Sequence, residues 1–201
     1  MIRAVVFDFG GVMTTTTMPM RLKAVADAMG LDWGIFVEGF RKYRLDYDRG
    51  DKTLKEMYDA IFGDAGLAVA ERERIEAADT ASWLYRNEKT LEWMKALKAR
   101  GFKIGILTNM APAFAPLFRG HFADFIALAD ALVISGEEHL TKPDPAIYEL
   151  LRARIGLPAE ELCFIDDLEV NCEAARQCGW RAIRFSDNAQ VVAEFEKELL
   201  E

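Results

Sequence analysis

Long apolar runs, basic blocks, histidines and paired cysteines are all scarce in this 201-residue chain, and each scarcity removes a class of function. No apolar run approaches the ~18 residues that cross a bilayer, so a membrane span is not expected. The opening apolar stretch, Ala4-Val5-Val6-Phe7, stops at Asp8. An exported leader needs an apolar core of roughly 7–15 residues, so these residues belong to the fold and a cytoplasmic location is expected. Lysine and arginine number 25 against 33 aspartates and glutamates, a formal net charge of −8. Without a basic tract to neutralise phosphates, a nucleic-acid partner is not expected. The 3 cysteines, Cys163, Cys172 and Cys178, are an odd number with no C-x-x-C pair. They read as buried reduced thiols, not as a metal or redox centre. The 2 histidines, His121 and His139, stand apart and outside any motif, which argues against a histidine-based active site.

What is present is apolar material for a full core, 51% of residues, arranged with two rhythms. Short apolar segments without alternation recur at residues 2–7, 102–107, 131–134, 162–165 and 181–185, as expected of strands buried on both faces of a parallel sheet. Helical stretches separate them. Residues 88–100 run to Gly101, with Leu91, Met94 and Leu97 on one face. Asp144-Pro145 offers an N-cap and first helical position before the stripe Ile147, Leu150, Leu151 and Ile155. Further helices are expected over 168–178 and 189–200. Strands alternating with helices predict a doubly wound, Rossmann-like α/β domain.

Residues of about 14–85 break this rhythm. Helices are expected near 19–29, 33–48, 53–63 and 70–85, with no strand, and the block is too long for an ordinary loop. It reads as an α-helical cap inserted after the first strand, giving a core of 1–13 plus 86–201 and a cap of 14–85. The aromatics Trp33, Phe36, Phe40, Tyr43 and Tyr47 recur at helical spacing, which favours packing between cap helices. Arg41 and Arg44 share a helix and are expected either on a solvated charged face or reaching toward a substrate anion. Thr14-Thr15-Thr16-Thr17 should line the passage from core to cap, or form a plain extended hinge.

In open α/β sheets, ligands bind at the carboxyl ends of the strands. Four such ends carry polar residues here: Asp8 followed by Gly10-Gly11, Thr108-Asn109, Lys142-Pro143, and Asp166-Asp167. Any one of them could be turn chemistry. Together they supply the parts of a phosphoryl transfer. A carboxylate such as Asp8 can attack phosphorus and divide one hard displacement into two easier ones. Asp8, Asp166 and Asp167 offer hard oxygen ligands suited to Mg²⁺. Lys142 supplies a fixed charge, the Thr108 hydroxyl and backbone N–H groups bind phosphate oxygens, and Gly10 and Gly11 let the backbone approach closely. Asn109 is either a phosphate-positioning residue or a turn residue. Asn171 could reach back to the Asp166-Asp167 pair or simply face solvent. Ser135-Gly136-Glu137 reads as a turn after the third strand.

These motifs resemble those of the haloacid dehalogenase-like hydrolases over nearly the whole chain. The first is Val5-Val6-Phe7-Asp8-Phe9-Gly10-Gly11-Val12 and the second Ile104-Gly105-Ile106-Leu107-Thr108-Asn109. The third is Lys142-Pro143-Asp144-Pro145-Ala146-Ile147-Tyr148 and the fourth Phe164-Ile165-Asp166-Asp167. The resemblance implies Asp8 as nucleophile, Thr108, Asn109, Gly11 and Lys142 around the phosphate, and Mg²⁺ on Asp8, Asp166, Asp167 and the Gly10 carbonyl. It implies a phosphatase acting on a small phosphorylated metabolite, as a monomer or homodimer.

One departure from the family pattern concerns Gly10, where phosphatases of this kind commonly carry a second aspartate that protonates the leaving group. Losing positioned proton transfer costs about 10²–10⁴-fold. The chain is similar here to glucose-1-phosphatase-like enzymes and to the phosphatase domains beside epoxide hydrolases, some of which carry glycine. Such a substrate would have a good leaving group, for example an anomeric sugar phosphate. Alternatively, water or a cap residue moves the proton, or the protein is a non-catalytic binding relative. A metal-independent 2-haloacid dehalogenase is the other enzymatic alternative, but the Asp166-Asp167 pair argues for a cation and hence for phosphate.

Overall fold

The computed structural model describes residues 1–15, 18–28, 30–66 and 69–199. Its centre is a five-stranded, wholly parallel sheet in the order β3-β2-β1-β4-β5. The strands are β1 (Ala4–Phe7), β2 (Lys103–Thr108), β3 (Ala131–Ile134), β4 (Leu162–Asp166) and β5 (Arg181–Arg184). All four residues of β1 are fully buried, because this strand is central and covered on both faces. That explains its unbroken Ala-Val-Val-Phe sequence. Helices α5 (Glu88–Ala99) and α11 (Asn188–Glu198) cover one face. There Leu91, Met94, Leu97 and Phe195 pack with Val5, Phe7 and Ile165. On the other face, Ile147, Tyr148 and Leu151 of α9 (Pro145–Ile155) and Ala174 and Ala175 of α10 (Glu169–Gln177) pack against Val6, Leu107 and Phe164. Asp144 caps α9, its side chain accepting from the Ala146 N–H at 2.9 Å, and Gly156 ends it at φ 69°.

The first strand begins at Ala4, two residues later than its apolar run. Arg3 instead hydrogen-bonds through its backbone N–H to the Glu161 carbonyl at 2.8 Å. Three short helices escaped the sequence reading: α6 (Ala115–His121), α7 (Ala123–Ile126) and α8 (Ser135–Glu138). They are too short to show a 3.6-residue period, and α8 replaces the turn expected at Ser135-Gly136-Glu137.

Between the first strand and α5 lie α1 (Met18–Ala28), α2 (Trp33–Asp48), α3 (Leu54–Ala65) and α4 (Val69–Ser82). They share a hydrophobic cluster of their own, in which Leu22, Phe36, Met57, Tyr58, Ile61 and Ile75 are buried. Thr53 and Glu56 form a reciprocal capping box at the start of α3. The chain leaves and returns at adjacent points: Thr14 bridges Arg86, Thr15 N–H donates to the Tyr85 carbonyl at 2.7 Å, and Asn87 N–H donates to the Met13 carbonyl at 2.8 Å. Thr16 and Thr17, part of the expected passage, lie outside the described residues. Among the described residues no helix is long and apolar enough to cross a membrane.

Candidate active site

The strand order runs outward from β1 to β2 and β3 on one side and to β4 and β5 on the other. The crevice at that switch, at the carboxyl ends of the strands, is where such sheets bind ligands. Asp8 follows β1 and Asp166 ends β4, and the register pairs Phe7 with Ile165, so the two carboxylates leave the sheet side by side. Asp8, Asp166 and Asp167 each bring one carboxylate oxygen to within 4.8 Å of the others.

Lys142 lies among them. It is 1% exposed, and its Nζ sits 2.7 Å from Asp8 Oδ1 and 2.6 Å from Asp166 Oδ2. Asn109 aims this lysine: its Oδ1 accepts from the Lys142 N–H at 2.8 Å and its Nδ2 donates to the Lys142 carbonyl at 2.9 Å. The Asn109 side chain thereby holds the lysine backbone at both ends, and it also lines the cavity described below. Asp166 is fully buried. Beyond Lys142 it accepts from the Leu168 N–H at 2.8 Å and from Asn171 Nδ2 at 3.1 Å on each oxygen. Asn171 is therefore no solvated helix residue, and its own carbonyl is held by the Tyr148 hydroxyl at 2.9 Å. Thr108, 1% exposed, is the last residue of β2.

Charge does not balance in this nest. Burial raises the Asp8 pKa well above its usual range, Lys142 works against that, and Asp166 and Asp167 reinforce it. Asp167 is pushed up to about 6 by burial and by Asp166, with Lys142 opposing. Burial also works against the Lys142 charge, but Asp166 and Asp8 outweigh it and hold the ammonium protonated. Three clustered carboxylates and one ammonium leave an excess of negative charge in a dry site, and an all-oxygen donor set of that kind fits a hard divalent cation.

The turn after Asp8, residues Phe9–Met13, is irregular: Gly11 takes φ 73°, a left-handed value that a side chain would strain. The Gly11 N–H donates to Thr14 Oγ1 at 3.1 Å. Gly10, by contrast, has an ordinary backbone (φ −66°, ψ 128°), and its lack of a side chain is a matter of space. A Cβ there would lie 3.0 Å from the Trp83 ring.

Above these residues opens a cavity of about 370 Å³ whose floor is Asp8, Gly10, Asn109, Lys142 and Asp167. Its walls are mostly apolar, with Phe40, Leu45, Tyr47, Leu54, Trp83 and Phe114 among them. Of the α2 aromatics, Phe36 and Tyr47 are buried in the helical cluster and Trp33, Phe40 and Tyr43 pack against it, as expected, and Phe40 and Tyr47 also line the cavity. Arg44 does not lie on a solvated face. Its Nε donates to Asp48 Oδ1 at 2.9 Å and its Nη1 to Asp79 Oδ2 at 3.3 Å, and all three residues line the cavity. Asp79 also accepts from the Tyr58 hydroxyl at 3.0 Å and Trp83 Nε1 at 3.1 Å. Sequence reasoning missed Asp48, Asp79 and Trp83. The one available signal was Asp48 itself, an acid at a helix C-terminus, where the macrodipole disfavours it. Neither histidine lines this cavity. Cys163 and Cys172 are buried free thiols, and Cys178 is half-buried and free.

The haloacid dehalogenase-like hydrolase family model matches residues 2–179. Acyl-CoA dehydrogenase family member 10 of Mus musculus is 32% identical over 105 residues, 50% of this chain but 9% of that protein. Bifunctional epoxide hydrolase 2 of Sus scrofa is 26% identical over 98% of this chain, which spans 38% of that protein's length. A sesquiterpene phosphatase of Aspergillus oryzae is 26% identical over 97% of this chain and 95% of its own. Among solved structures, a HAD family enzyme of Bacteroides thetaiotaomicron in complex with magnesium and inorganic phosphate shares the fold. Its TM-score is 0.65 at 20% identity, covering 92% of this chain and 94% of that one. The L-2-haloacid dehalogenase of Xanthobacter autotrophicus also shares it, with TM-score 0.67 at 19% identity over 92% and 78% of the two chains.

Proposed function

Because the chain belongs to the haloacid dehalogenase-like hydrolase family, we propose that it is a Mg²⁺-dependent phosphomonoester hydrolase. It works through a phosphorylated Asp8 on a small substrate whose non-phosphate part is apolar. The observation that carries this reading is the crowding of Asp8, Asp166 and Asp167 within 4.8 Å around one ammonium. A carboxylate can approach a phosphate dianion there only if further positive charge is supplied. Asp8, Asp166, Asp167 and the Gly10 carbonyl would hold Mg²⁺, which when bound neutralises phosphate charge and orients the phosphoryl group. The magnesium and phosphate in the Bacteroides relative's complex support the same choice.

In this reading Asp8 attacks phosphorus, and Lys142 stabilises the charge that develops on the transferring group while Asn109 holds the lysine's backbone in place. The Thr108 hydroxyl binds a phosphate oxygen. Residues 14–85 serve as a cap over the core of 1–13 and 86–201, closing the reaction off from bulk water. The cap's contribution to the cavity is largely apolar, which favours an alkyl, prenyl or aryl phosphate over the sugar phosphate suggested by Gly10 alone. The sesquiterpene phosphatase relative supports an apolar substrate. Dehalogenation is disfavoured by the same carboxylate cluster, since attack on a haloacid carbon has no use for a cation site.

The test is phosphate release from alkyl, prenyl, aryl and sugar phosphates, with and without Mg²⁺. We expect metal-dependent turnover led by the apolar esters and reduced on the order of 10⁴-fold or more in Asp8→Asn. Halide release from 2-haloacids without metal would instead establish the dehalogenase, and no turnover on either panel would leave a non-catalytic binding protein.

A further inference from the structure

With Gly10 in place of a side chain, the hydrolysis proposed above lacks a proton carrier on the β1 loop, and the space one would need is closed. The atom that a Cβ on Gly10 would meet at 3.0 Å is Cζ3 of Trp83. That indole is held in place by its Nε1, which donates to Asp79 Oδ1 at 3.1 Å. A carboxylate does reach the cavity from the other side. Asp48 is the last residue of α2, is 5% exposed, and lines the cavity that holds Asp8 and Lys142. Arg44 occupies its Oδ1, whereas its Oδ2 accepts no hydrogen bond from the described residues. Its backbone is anchored to the core: the Asp48 carbonyl accepts from Ser135 Oγ at 2.6 Å, and Ser135 Oγ accepts from the Met110 N–H at 2.8 Å. The end of α2 is thus pinned against the loop that follows β2 and the first residue of α8, so the carboxyl group is placed by the core as much as by the cap.

We propose that Asp48 is the general acid and base of this enzyme, a role that rests on the phosphatase reading. In the first half-reaction an Asp8 oxygen bonds to phosphorus as the bond from phosphorus to the leaving oxygen breaks. The proton of Asp48 passes to that oxygen, the alcohol departs, and Asp48 is left ionised. In the second, the oxygen of a water molecule bonds to phosphorus, the Asp8–phosphorus bond breaks, and the water's proton passes to Asp48. Inorganic phosphate leaves and Asp48 is again protonated. In-line displacement puts both the leaving oxygen and the incoming water on the face of phosphorus away from Asp8, so a single cap-borne group can serve both halves.

The surroundings suit such a role. Burial is the main influence on the Asp48 carboxyl and lifts its pKa to about 6. Arg44 on its own helix opposes the shift, Asp79 from α4 adds to it, and Lys142 from the core opposes it. A carboxyl group titrating near neutrality can both give and take a proton during turnover. Asp79 is the poorer candidate, because Tyr58, Trp83 and Arg44 already occupy its oxygens.

The test uses Asp48→Asn in the full chain with Mg²⁺, comparing p-nitrophenyl phosphate with an alkyl phosphate. The nitrophenolate leaves without a proton, but the phosphorylated Asp8 still needs a base for its hydrolysis. The expected result is a burst of one nitrophenolate per enzyme, followed by turnover slowed about 10²–10⁴-fold. The alkyl phosphate should give no burst, because its first step is itself slowed. Asp48→Glu should recover part of both rates. In the wild type, alkyl phosphate turnover should fall as pH rises past about 6, where the acid ionises, while single-turnover nitrophenolate release stays level. That profile decides the matter even if the asparagine variant does not fold. Rates that fall equally on both substrates without a burst, or a pH profile shared by both, overturn the assignment and leave Asp48 a mere anchor for Arg44. Absence of any wild-type turnover would defeat the phosphatase reading itself.

Discussion

The core and the helical excursion each set a cation among carboxylates at the cavity, and the two clusters are finished differently. In the core, Lys142 meets Asp8 and Asp166 with Asp167 beside them, and apart from the lysine the Asp8 carboxylate has no protein donor among the described residues. In the excursion, Arg44 meets Asp48 and Asp79, and neutral donors from Tyr58 and Trp83 complete Asp79. The first cluster is left short of positive charge, which is the condition for taking up a cation. The second is closed by hydrogen bonds except at one carboxylate oxygen, which is the condition for moving a proton. What differs is where the neutral donors fall: on Asp166 in the core, leaving Asp8 with the lysine alone, and on Asp79 in the excursion, leaving one oxygen of Asp48 without a donor.

The comparison can be broken at its cations. Lys142→Met leaves three carboxylates facing one another at a site that is 1% exposed on the lysine side chain, and we expect the metal-free protein to lose about 3–5 kcal/mol of stability near neutral pH. Denaturant unfolding measures it. Arg44→Met should cost less, about 1–3 kcal/mol, because the Arg44 side chain is 18% exposed and Asp79 retains two neutral donors. Equal losses would mean that the neutral donors contribute nothing. The smallest effect is expected at Gly10→Ala. Its backbone is compatible with any residue, so the cost is the shift forced on the Trp83 ring, about 1 kcal/mol. A second substitution, Trp83→Phe, should remove most of that penalty, since the smaller ring reaches less far over Gly10.

Most of the core was legible because its elements have strong local signatures. A fully buried parallel strand must be apolar throughout, and Ala4–Phe7 and Leu162–Asp166 are, up to the carboxylates that end them. The positions of Asp8, Thr108 and Asp166 at strand ends followed from that, whereas Lys142 lies well past the end of β3, between α8 and α9. The excursion was legible only as helices. Spacing located α2 well, but the face of α2 that meets the core is decided by contacts such as Asp48 with Ser135, 87 residues apart in sequence. Arg44 therefore looked like a solvated residue and Asp48 carried no motif. Trp83 follows α4 closely in sequence, yet its use is to stand over Gly10, a pairing visible only in three dimensions. Asn171 was readable to within one alternative, and burial against Asp166 settled it.

The bridge of Thr14 with Arg86, flanked by the contacts of Thr15 with Tyr85 and of Asn87 with Met13, makes the two ends of the excursion immediate neighbours. For a polymer whose ends are already together, the entropy of closing the intervening loop grows only logarithmically with its length. Segments of very different size can therefore be spliced between the same two anchor points at similar thermodynamic cost. Evolution, or an engineer, can exchange the inserted helices as a cassette and leave the carboxylates and lysine of the core untouched.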